Sequence, residues 1–518
     1  MALTSMGFLC FVVIAVAGYY LIPGRFQWIW LLIFSYLYYV SNGVGLLGYL
    51  LFTTLTTYGA GVLLERIEDK KKQKGILITT LVLNFGVLAI LKYLNFVILN
   101  LNRIFQGDIS FVNFALPLGI SFYTFQSMGY LLDVYWKKGR AEKNPFRFAL
   151  FVSFFPQLLQ GPIGRFSRLA DQLYGNHRWD WKRAEMGFER ILWGFFKKMV
   201  LADTAAIFVN ALFDDYEKYP GLAIFAVLAY SVQLYCDFSG GVDVVIGVSR
   251  LFGITMDENF KRPYFARSIT DFWHRWHITL GTWMKDYIFY PVSLSGWMGR
   301  FGKFSKKIFG RSTGRTLPIC LANLIVFLVV GVWHGAAWKF ILYGLYNGGI
   351  IAFSGLMAGN YRKWKKACHI QEKSLSWQLF QIMRTFLLVN ISWFFDRADT
   401  VGQALSMMKN SITHWNPKQL LTIPVGMGGT TNYTGWALGI LALGLLVLFL
   451  FSFLEEKGIS VFEKIASMPL YLRMAVYLSC LFAIPLLGQP PSSTGGFIYA
   501  QFKKMDDRAG VCSSISGD

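Results

Sequence analysis

Apolar residues occur along this chain in runs long enough to cross a bilayer, separated by short polar segments. A helix of about 20 apolar residues spans the hydrocarbon core of a membrane. The candidate spans are residues 8–22, 26–40, 44–64, 76–99, 116–134, 148–159, 191–213, 221–236, 317–333, 340–357, 379–395, 436–454 and 470–487. Because several are too short or too polar for an ordinary crossing, we expect roughly ten to twelve transmembrane helices. The pattern predicts an all-α polytopic membrane protein with additional short re-entrant and amphipathic helices.

One of these runs, residues 148–159, is interrupted in a way that a simple crossing is not. Pro156 lies inside it, and Gln160-Gly161-Pro162 follows at once. Proline breaks a helix, and irregular backbone at membrane depth persists where protein or a water-filled cavity surrounds it. We therefore expect a broken or re-entrant helix here.

Composition agrees with a membrane protein. Of 518 residues, 54% are hydrophobic and 15% are charged, whereas soluble domains carry about 25% charged residues. We expect a single integral membrane domain over residues 1–502 and a disordered tail over residues 503–518. No Lys or Arg precedes the first apolar run, so that run is interpreted as a retained span rather than a signal peptide.

The formal net charge is +21, but its distribution does not indicate nucleic-acid binding. The basic residues lie in short segments between apolar runs, notably residues 65–74, 137–140 and 300–315. Such loops face the cytoplasm under the positive-inside rule. Because three spans precede the first of these loops, we expect the N-terminus to be extracytoplasmic. The six cysteines form no C-x-x-C pair, which disfavours a structural zinc site or a disulfide framework.

A histidine lies in the apolar region where polar side chains are costly. Trp333-His334-Gly335 directly follows the apolar residues 327–332. An ionisable residue at membrane depth is a functional candidate, and a neutral imidazole there can still accept a proton. The neighbouring glycines and alanines leave the backbone bare, so that another group can approach it closely, with Trp333 and Trp338 as candidate pocket walls. A histidine that only bridges two helices is the alternative.

A second histidine pair lies in a polar segment with many aromatic residues, residues 237–291. We interpret this segment as short amphipathic helices that form a cytoplasmic funnel, with Trp273, Trp276 and Trp283 near one helix face. His277 is expected at the end of a helix, where it orients a donor or stabilises charge on an acyl oxygen. His274, three residues earlier, could share its face, and a two-histidine metal site lacks an evident third ligand.

Two acidic residues lie at the ends of apolar spans, Asp133 and Asp237. Each is either a functional group or the ion-pair partner of a nearby Lys or Arg, and we favour the structural role.

Four motifs occur in an order that resembles the membrane-bound O-acyltransferase superfamily. They are residues 157–163 (QLLQGPI), 235–240 (YCDFSG), 271–283 (DFWHRWHITLGTW) and 331–338 (GVWHGAAW). The ending at residues 496–502 (GFIYAQF) is similar to that of the family's alginate O-acetylation branch, which is related to the D-alanine transfer proteins. Two departures are His274, where Arg is more usual, and Thr279, where Ser is common.

The resemblance implies a plasma- or inner-membrane enzyme with helices around a central tunnel, and it marks His334 as the catalytic residue and His277 as its partner. The expected reaction moves an acyl group, most often acetyl, from a cytoplasmic thioester to a hydroxyl for modification of an exported or cell-surface polysaccharide. No bound cofactor is expected. Acetyl-CoA or an acyl-carrier protein would be co-substrate, and an extracytoplasmic, SGNH-like acyltransferase would deliver the acyl group to the glycan. The candidate donor-binding residues are Trp333, Trp338, Arg275, Trp276, Lys261, Arg262 and Arg267.

Three alternatives stay open at this point. One is D-alanyl transfer for teichoic acid modification. The second is a proton-coupled transporter in which the histidines relay protons. The third is a membrane scaffold with no chemistry of its own.

Overall fold

The computed structural model describes residues 1–421, residue 423 and residues 434–488. Within these residues the chain is helical and contains no strand, which confirms the all-α prediction; Phe260 and Trp276 form one isolated β-bridge. The α-helices, in chain order, are α1 Met6–Leu21, α2 Gln27–Val40, α3 Leu47–Arg66, α4 Lys70–Phe105, α5 Ile120–Tyr135, α6 Pro145–Ser153, α7 Phe155–Gln160, α8 Phe166–Tyr174, α9 Trp181–Phe195, α10 Asp203–Asp214, α11 Ala223–Leu251, α12 Ile269–Arg275, α13 Ile278–Met284, α14 Tyr290–Ser293, α15 Gly296–His334, α16 Trp338–Ala367, α17 Leu375–Arg397, α18 Val401–Thr413, α19 Thr434–Glu456, α20 Val461–Ala466 and α21 Leu470–Leu487.

Seven helical segments in the described part of the chain are long and apolar enough to cross a membrane. They are Val44–Arg66, Lys70–Phe105, Pro220–Leu251, Gly296–His334, Trp338–Ala367, Gly435–Glu456 and Leu470–Leu487. The shorter α1 is also apolar. The protein is therefore a multi-pass membrane protein, whereas a total of ten to twelve crossings stays a prediction.

The chain divides into two compact units. The first consists of Met1–Thr204, Leu234–Asp257 and Gly439–Asp518, and the second of Ala205–Gln233 and Glu258–Leu438. A single domain over residues 1–502 stays a prediction. The expected tail, residues 503–518, and the motif at residues 496–502 lie outside the described residues.

The expected break near Pro156 is present in the first unit. Helix α6 ends at Ser153, Phe154 leaves the helical conformation with φ −49° and ψ 108°, and α7 begins at Phe155. Buried carbonyls on both sides of α7 are bonded: Gln126 Nε2 donates to the Phe151 carbonyl at 2.7 Å, and Gln157 Nε2 donates to the Pro162 carbonyl at 2.9 Å. Side-chain amides thus replace the missing helical hydrogen bonds.

Two segments that the sequence placed in loops are largely helical. The basic stretch at residues 65–74 contains the short connection between α3 and α4. Asp69 caps α4 by accepting a hydrogen bond from the Lys71 N–H at 2.7 Å, as acidic N-caps commonly do. The basic residues 300–315 lie inside α15, whose helical backbone is interrupted at Gly310 with φ 77°. The basic residues made these segments look like loops. The helices α4 and α15 instead begin where Asp69 and Ser295 cap them.

Helices α15 and α16 of the second unit form a hairpin with very close backbones. A Cβ atom at Gly331 would collide with the Phe340 carbonyl, and one at Gly344 would collide with the Phe327 carbonyl. Small residues permit this approach between membrane helices. The hairpin places His334 at the very end of α15, immediately before the turn into α16.

Candidate active site

The His334 imidazole is enclosed by side chains of the second unit. Its ring centroid lies 5.0 Å from that of Tyr343, 5.2 Å from that of Trp333 and 6.1 Å from that of Phe340. The side chain is 8% exposed. The last turn of α15 and the first turns of α16 therefore build an aromatic wall around one ionisable group.

A carboxylate that the sequence analysis did not single out lies beside this histidine. Asp396, in the last turn of α17, places Oδ1 3.6 Å from His334 Nδ1, and its side chain is 1% exposed. The Tyr230 hydroxyl donates to Asp396 Oδ2 at 2.7 Å. The buried Lys339 ammonium donates to the backbone carbonyls of Asp396 and Ala398, at 3.2 and 2.6 Å. These bonds fix the end of α17 so that the carboxylate faces the imidazole.

His277 reaches the same place from a different segment. Its ring centroid is 5.8 Å from that of Trp333, and the Trp333 ring in turn lies 5.2 Å from that of His334. The structure thus brings the two predicted histidines to one indole ring, although 56 residues separate them in sequence. Burial, with a smaller contribution from His334, lowers the pKa of His277 to about 3. This imidazole is therefore neutral at physiological pH.

The backbone turns at His277, so the residues on its two sides do not form one helix. Helix α12 ends at Arg275, His277 has φ 46° and ψ 53°, and α13 begins at Ile278. The predicted shared face of His274 and His277 is wrong for this reason: His274 is exposed on α12, whereas His277 is buried beyond its end. Trp273, Trp276 and Trp283 likewise do not share one helix.

The glycines around His334 permit the expected close approach. A Cβ atom at Gly331 would strike the Phe340 backbone, and one at Gly335 would strike the Phe340 ring. The group that approaches is thus a residue of the protein itself. These glycines allow the helical hairpin to close.

The predicted donor-binding residues differ in their accessibility. Lys261 and Arg267 are exposed, and Trp338 is 56% exposed. Trp276 is buried and stacks on Phe272 with ring centroids 5.5 Å apart.

The two remaining cations are partly engaged in local structure. Arg275 Nε lies 2.9 Å from Asp271 Oδ1, and Arg262 is half-buried with φ 47°. A role for the four cations in donor binding stays a prediction, as does one for the three tryptophans Trp333, Trp338 and Trp276.

The acidic residues Asp133 and Asp237 belong to the first unit. Asp133 is half-buried near the end of α5. Asp237 is buried in α11, where Lys198 Nζ lies 2.6 Å from Asp237 Oδ1 and 2.7 Å from Asp203 Oδ1. This geometry is consistent with the structural ion-pair role favoured for Asp237.

Asn259 Oδ1 also lies 3.2 Å from His277 Nδ1. Two side chains of the site, Asp396 and Asn259, were therefore missed by sequence reasoning. Asp396 directly follows an apolar run at the end of α17, and Asp133 and Asp237 lie in similar positions. An acidic residue at the end of an apolar run is the signal by which Asp396 could have been found. Asn259 has no such signal, because an asparagine in a polar segment is ordinary. In the described residues, no group of three or more His, Cys, Asp or Glu is arranged to hold a metal ion.

Comparison with known proteins provides an independent line of evidence. The profile of the membrane-bound O-acyltransferase (MBOAT) family matches residues 138–305. The protein named probable alginate O-acetylase AlgI of Pseudomonas aeruginosa is 36% identical over 445 residues, which are 84% of this chain and 78% of that protein. The peptidoglycan O-acetyltransferase of Helicobacter pylori is 30% identical over 79% of each chain. The teichoic acid D-alanyltransferase of Bacillus subtilis is 29% identical over 48% of this chain and 60% of its own length.

Proposed function

This chain belongs to the membrane-bound O-acyltransferase family and is a membrane O-acyltransferase, and from this premise we propose that it acetylates an exported or cell-surface polysaccharide. The acetyl group comes from a cytoplasmic thioester, either acetyl-CoA or an acetylated carrier protein. Similarity supports acetyl rather than D-alanyl transfer, because the relatives named as O-acetylating enzymes match a larger share of this chain than the D-alanyltransferases do.

The observation that carries the proposal is the arrangement of His334 and Asp396. With the carboxylate next to Nδ1, that nitrogen carries the proton and Nε2 is left as the proton acceptor. A base beside a buried carboxylate becomes stronger, because the carboxylate stabilises the imidazolium that forms. The side chains around the ring exclude water, which strengthens this electrostatic effect.

In the proposed reaction the nucleophile is the hydroxyl of the acceptor, and the leaving group is the thiol of the donor. His334 Nε2 removes the proton of the acceptor hydroxyl as its oxygen attacks the thioester carbonyl carbon. The C–O bond forms, the C–S bond breaks, and the leaving sulfur takes the proton from the imidazolium. The products are an ester and a free thiol, so the protein needs no nucleophile of its own.

The cations Lys261, Arg262, Arg267 and Arg275 would bind the phosphates of the donor. The exposure of Lys261 and Arg267 supports this assignment. Replacing both by Glu should raise the donor concentration that gives half-maximal transfer, and an unchanged value would rule the assignment out.

An extracytoplasmic acyltransferase, SGNH-like in type, would receive the acetyl group and pass it to the glycan. This partner completes the route from the cytoplasm to the polymer, since the membrane enzyme is confined to the bilayer. Deletion of such a partner should abolish polymer esters although the membrane enzyme is still present at its normal level.

The proposal is tested by ester release from the surface polymers of cells that lack the protein. The cells are complemented with wild type, His334→Ala or His414→Ala at matched membrane levels. Alkali frees the acyl groups and mass spectrometry identifies them. We expect wild type and the His414→Ala control, which changes an exposed histidine, to restore acetate, and His334→Ala to restore none.

Each other outcome favours a different function. Release of D-alanine in place of acetate would assign the protein to teichoic acid modification. Equal ester release by His334→Ala and wild type would contradict the catalytic role of His334 and favour a scaffold. Proton movement without any acyl transfer would favour a transporter.

A further inference from the structure

The side chain of Asn259 makes an unusual number of contacts around His277. Its Oδ1 lies 3.0 Å from the Thr279 backbone nitrogen, 2.9 Å from Thr279 Oγ1 and 3.2 Å from His277 Nδ1. Asn259 is 0% exposed. One amide oxygen therefore gathers three polar groups in a place that water does not reach.

These contacts determine which end of the amide faces His277. The Thr279 backbone N–H can only donate a hydrogen bond, so the atom that it meets must be the amide oxygen and not the NH2 group. That oxygen carries no proton. His277 Nδ1 must then be the protonated nitrogen, because two acceptors facing each other would repel.

The tautomer follows from this requirement. A neutral imidazole has a single N–H, and if it lies on Nδ1, the lone pair lies on Nε2. His277 is neutral at physiological pH since its pKa is lowered to about 3 by burial and, to a lesser extent, by His334. Its Nε2 can therefore accept a hydrogen bond but cannot donate one.

Asn259 also supports the backbone conformation of His277. A positive φ is strained for a residue other than glycine, and His277 has φ 46°. The Ile278 N–H donates to the Asn259 carbonyl at 3.0 Å, and the Lys261 N–H donates to the Arg275 carbonyl at 2.9 Å. Residues 259–261 thus run beside the turn and hold the imidazole against Trp333.

We propose that Asn259 is a positioning residue that holds His277 in the Nδ1–H tautomer, so that His277 Nε2 accepts a hydrogen bond from a donor group of the substrate. This inference rests on the proposed function for its role in the reaction. The group that faces Nε2 is then an O–H or N–H, such as the acceptor hydroxyl or an amide of the thioester arm. The role differs from the stabilisation of an acyl oxyanion, which requires a donor.

The tautomer is measured by ¹⁵N NMR of the purified full-length protein labelled at histidine. The chain has six histidines, and the His277 signals are assigned from their loss in His277→Gln. In wild type we expect a protonated Nδ1 and an unprotonated Nε2. A protonated Nε2 would overturn the proposal whether or not the enzyme transfers acetate, so the two hypotheses fail independently.

Variants then link the tautomer to the reaction. Asn259→Leu removes the acceptor, and we expect mixed tautomers and at least a tenfold lower kcat with an unchanged donor KM. Asn259→Asp keeps an acceptor, so the Nδ1–H tautomer should persist, while the added negative charge raises the pKa of His277. The acidic limb of its pH–rate profile should therefore move to higher pH.

The matched control is Thr279→Val, which removes one donor to Asn259 Oδ1 but leaves the contact with His277 intact. We expect it to retain the tautomer and most of the activity. Asn259→Leu that folds and keeps both the wild-type tautomer and kcat would contradict a positioning role. If Asn259→Leu does not fold, the wild-type spectrum and the pH profile of Asn259→Asp still decide the question.

Discussion

Asp396 illustrates at the scale of a single residue how a buried charge is held in place. A carboxylate with a side chain 1% exposed is costly unless it is bonded. The Tyr230 hydroxyl donates a hydrogen bond to Oδ2 at 2.7 Å, while His334 Nδ1 lies 3.6 Å from Oδ1, slightly beyond hydrogen-bond distance. The Lys339 ammonium bonds to the backbone of the same helix end and adds positive charge nearby. The carboxylate is thus fixed by polar groups that leave one oxygen toward the proposed base.

Replacement of Asp396 should therefore slow the reaction more than it perturbs the fold. Asp396→Asn keeps the volume but removes the charge that stabilises the imidazolium. Hydrogen bonds to charged groups contribute about 1.5–3 kcal/mol, so kcat should fall roughly ten- to hundredfold. Tyr230→Phe removes one neutral donor, and the expected loss is several-fold.

Acetyl transfer measured on purified protein, with the melting temperature as a control for folding, checks this order. Asp396→Asn with wild-type kcat would contradict the role of Asp396. A larger loss of kcat in Tyr230→Phe than in Asp396→Asn would show that the Tyr230 hydroxyl does not act through Asp396 alone.

Sequence reasoning could mark single residues where the signal was intrinsic to the residue. A histidine next to an apolar run is costly wherever it lies, so His334 stood out without a structure. Asn259 could not be found in this way, because its importance comes from three contacts that exist only after the chain turns at His277. The purpose of Gly331 was missed for the same reason, as the sequence does not say what lies beside a bare backbone.

At the scale of elements, a short π-helix determines how the first unit holds its charges. Helix α9 continues as a π-helix over Phe196–Ala202, a distortion often found at functional positions. Lys197 and Lys198 lie in it, both buried. Gly194 and Gly240 let α9 and α11 approach, since a Cβ at Gly194 would lie 2.6 Å from the Gly240 carbonyl oxygen.

This approach pairs the two lysines with acidic residues of α11 and with Asp203, the first residue of α10. Lys198 meets Asp237 and Asp203, and Lys197 meets Asp243, which also lies 2.7 Å from an Arg190 nitrogen. Three cations and three carboxylates thus form a neutral buried cluster, which we call the α9–α11 charge cluster. The sequence suggested an ion pair for Asp237, but the π-helix that supplies both lysines gave no sequence signal.

Lys198→Met should destabilise the protein strongly, because it leaves two buried carboxylates without their shared cation. Breaking a buried ion pair costs about 3–5 kcal/mol. Arg168→Met provides the matched control, since the Arg168–Asp257 pair is exposed, with the Arg side chain 65% accessible, and such pairs contribute less than about 1 kcal/mol.

Thermal unfolding in detergent, followed by tryptophan fluorescence, measures both variants. We expect a large fall in melting temperature for Lys198→Met and almost none for Arg168→Met. Asp237→Asn added to Lys198→Met should recover part of the loss. Equal, small effects of Lys198→Met and Arg168→Met would mean that the α9–α11 charge cluster is dispensable for stability.

At the scale of the whole molecule, hydropathy predicted the fold class, while the number and limits of the helices needed the structure. Hydropathy detects segments that are apolar enough for lipid, so long apolar helices such as α19 could be predicted from the sequence. It does not report breaks, and α12 and α13 are separated by the extended Trp276 and the left-handed His277, which no periodicity reveals. Similarity to the family indicates more than hydropathy or periodicity does, because it rests on the order of several motifs along most of the chain.

The orientation of the molecule follows from charge and can be tested with an existing cysteine. Cys368 is exposed directly after α16, whose last turn contains Lys365 and Lys366. The positive-inside rule places this end in the cytoplasm. A membrane-impermeant maleimide should therefore label Cys368 in inverted membrane vesicles and not in intact spheroplasts.

Loss of the label in Cys368→Ser identifies the reactive site, since other cysteines are also present. Labelling of Cys368 in intact spheroplasts would mean that the end of α16 faces the outside, opposite to the orientation inferred here. The donor would then meet the opposite face of the protein, and the expected extracytoplasmic N-terminus would be wrong as well.

The α9–α11 charge cluster has a consequence for the biogenesis of the protein. Lys198 is synthesised 5 residues before Asp203 and 39 residues before Asp237, so one of its acidic partners emerges with it and the other much later. An unpaired lysine at the centre of a bilayer is opposed by about 2.5–3.5 kcal/mol during translocon insertion. The ion pair with Asp203 can therefore neutralise Lys198 within its own segment of the nascent chain, and the arrival of α11 then adds the pair with Asp237 that completes the cluster.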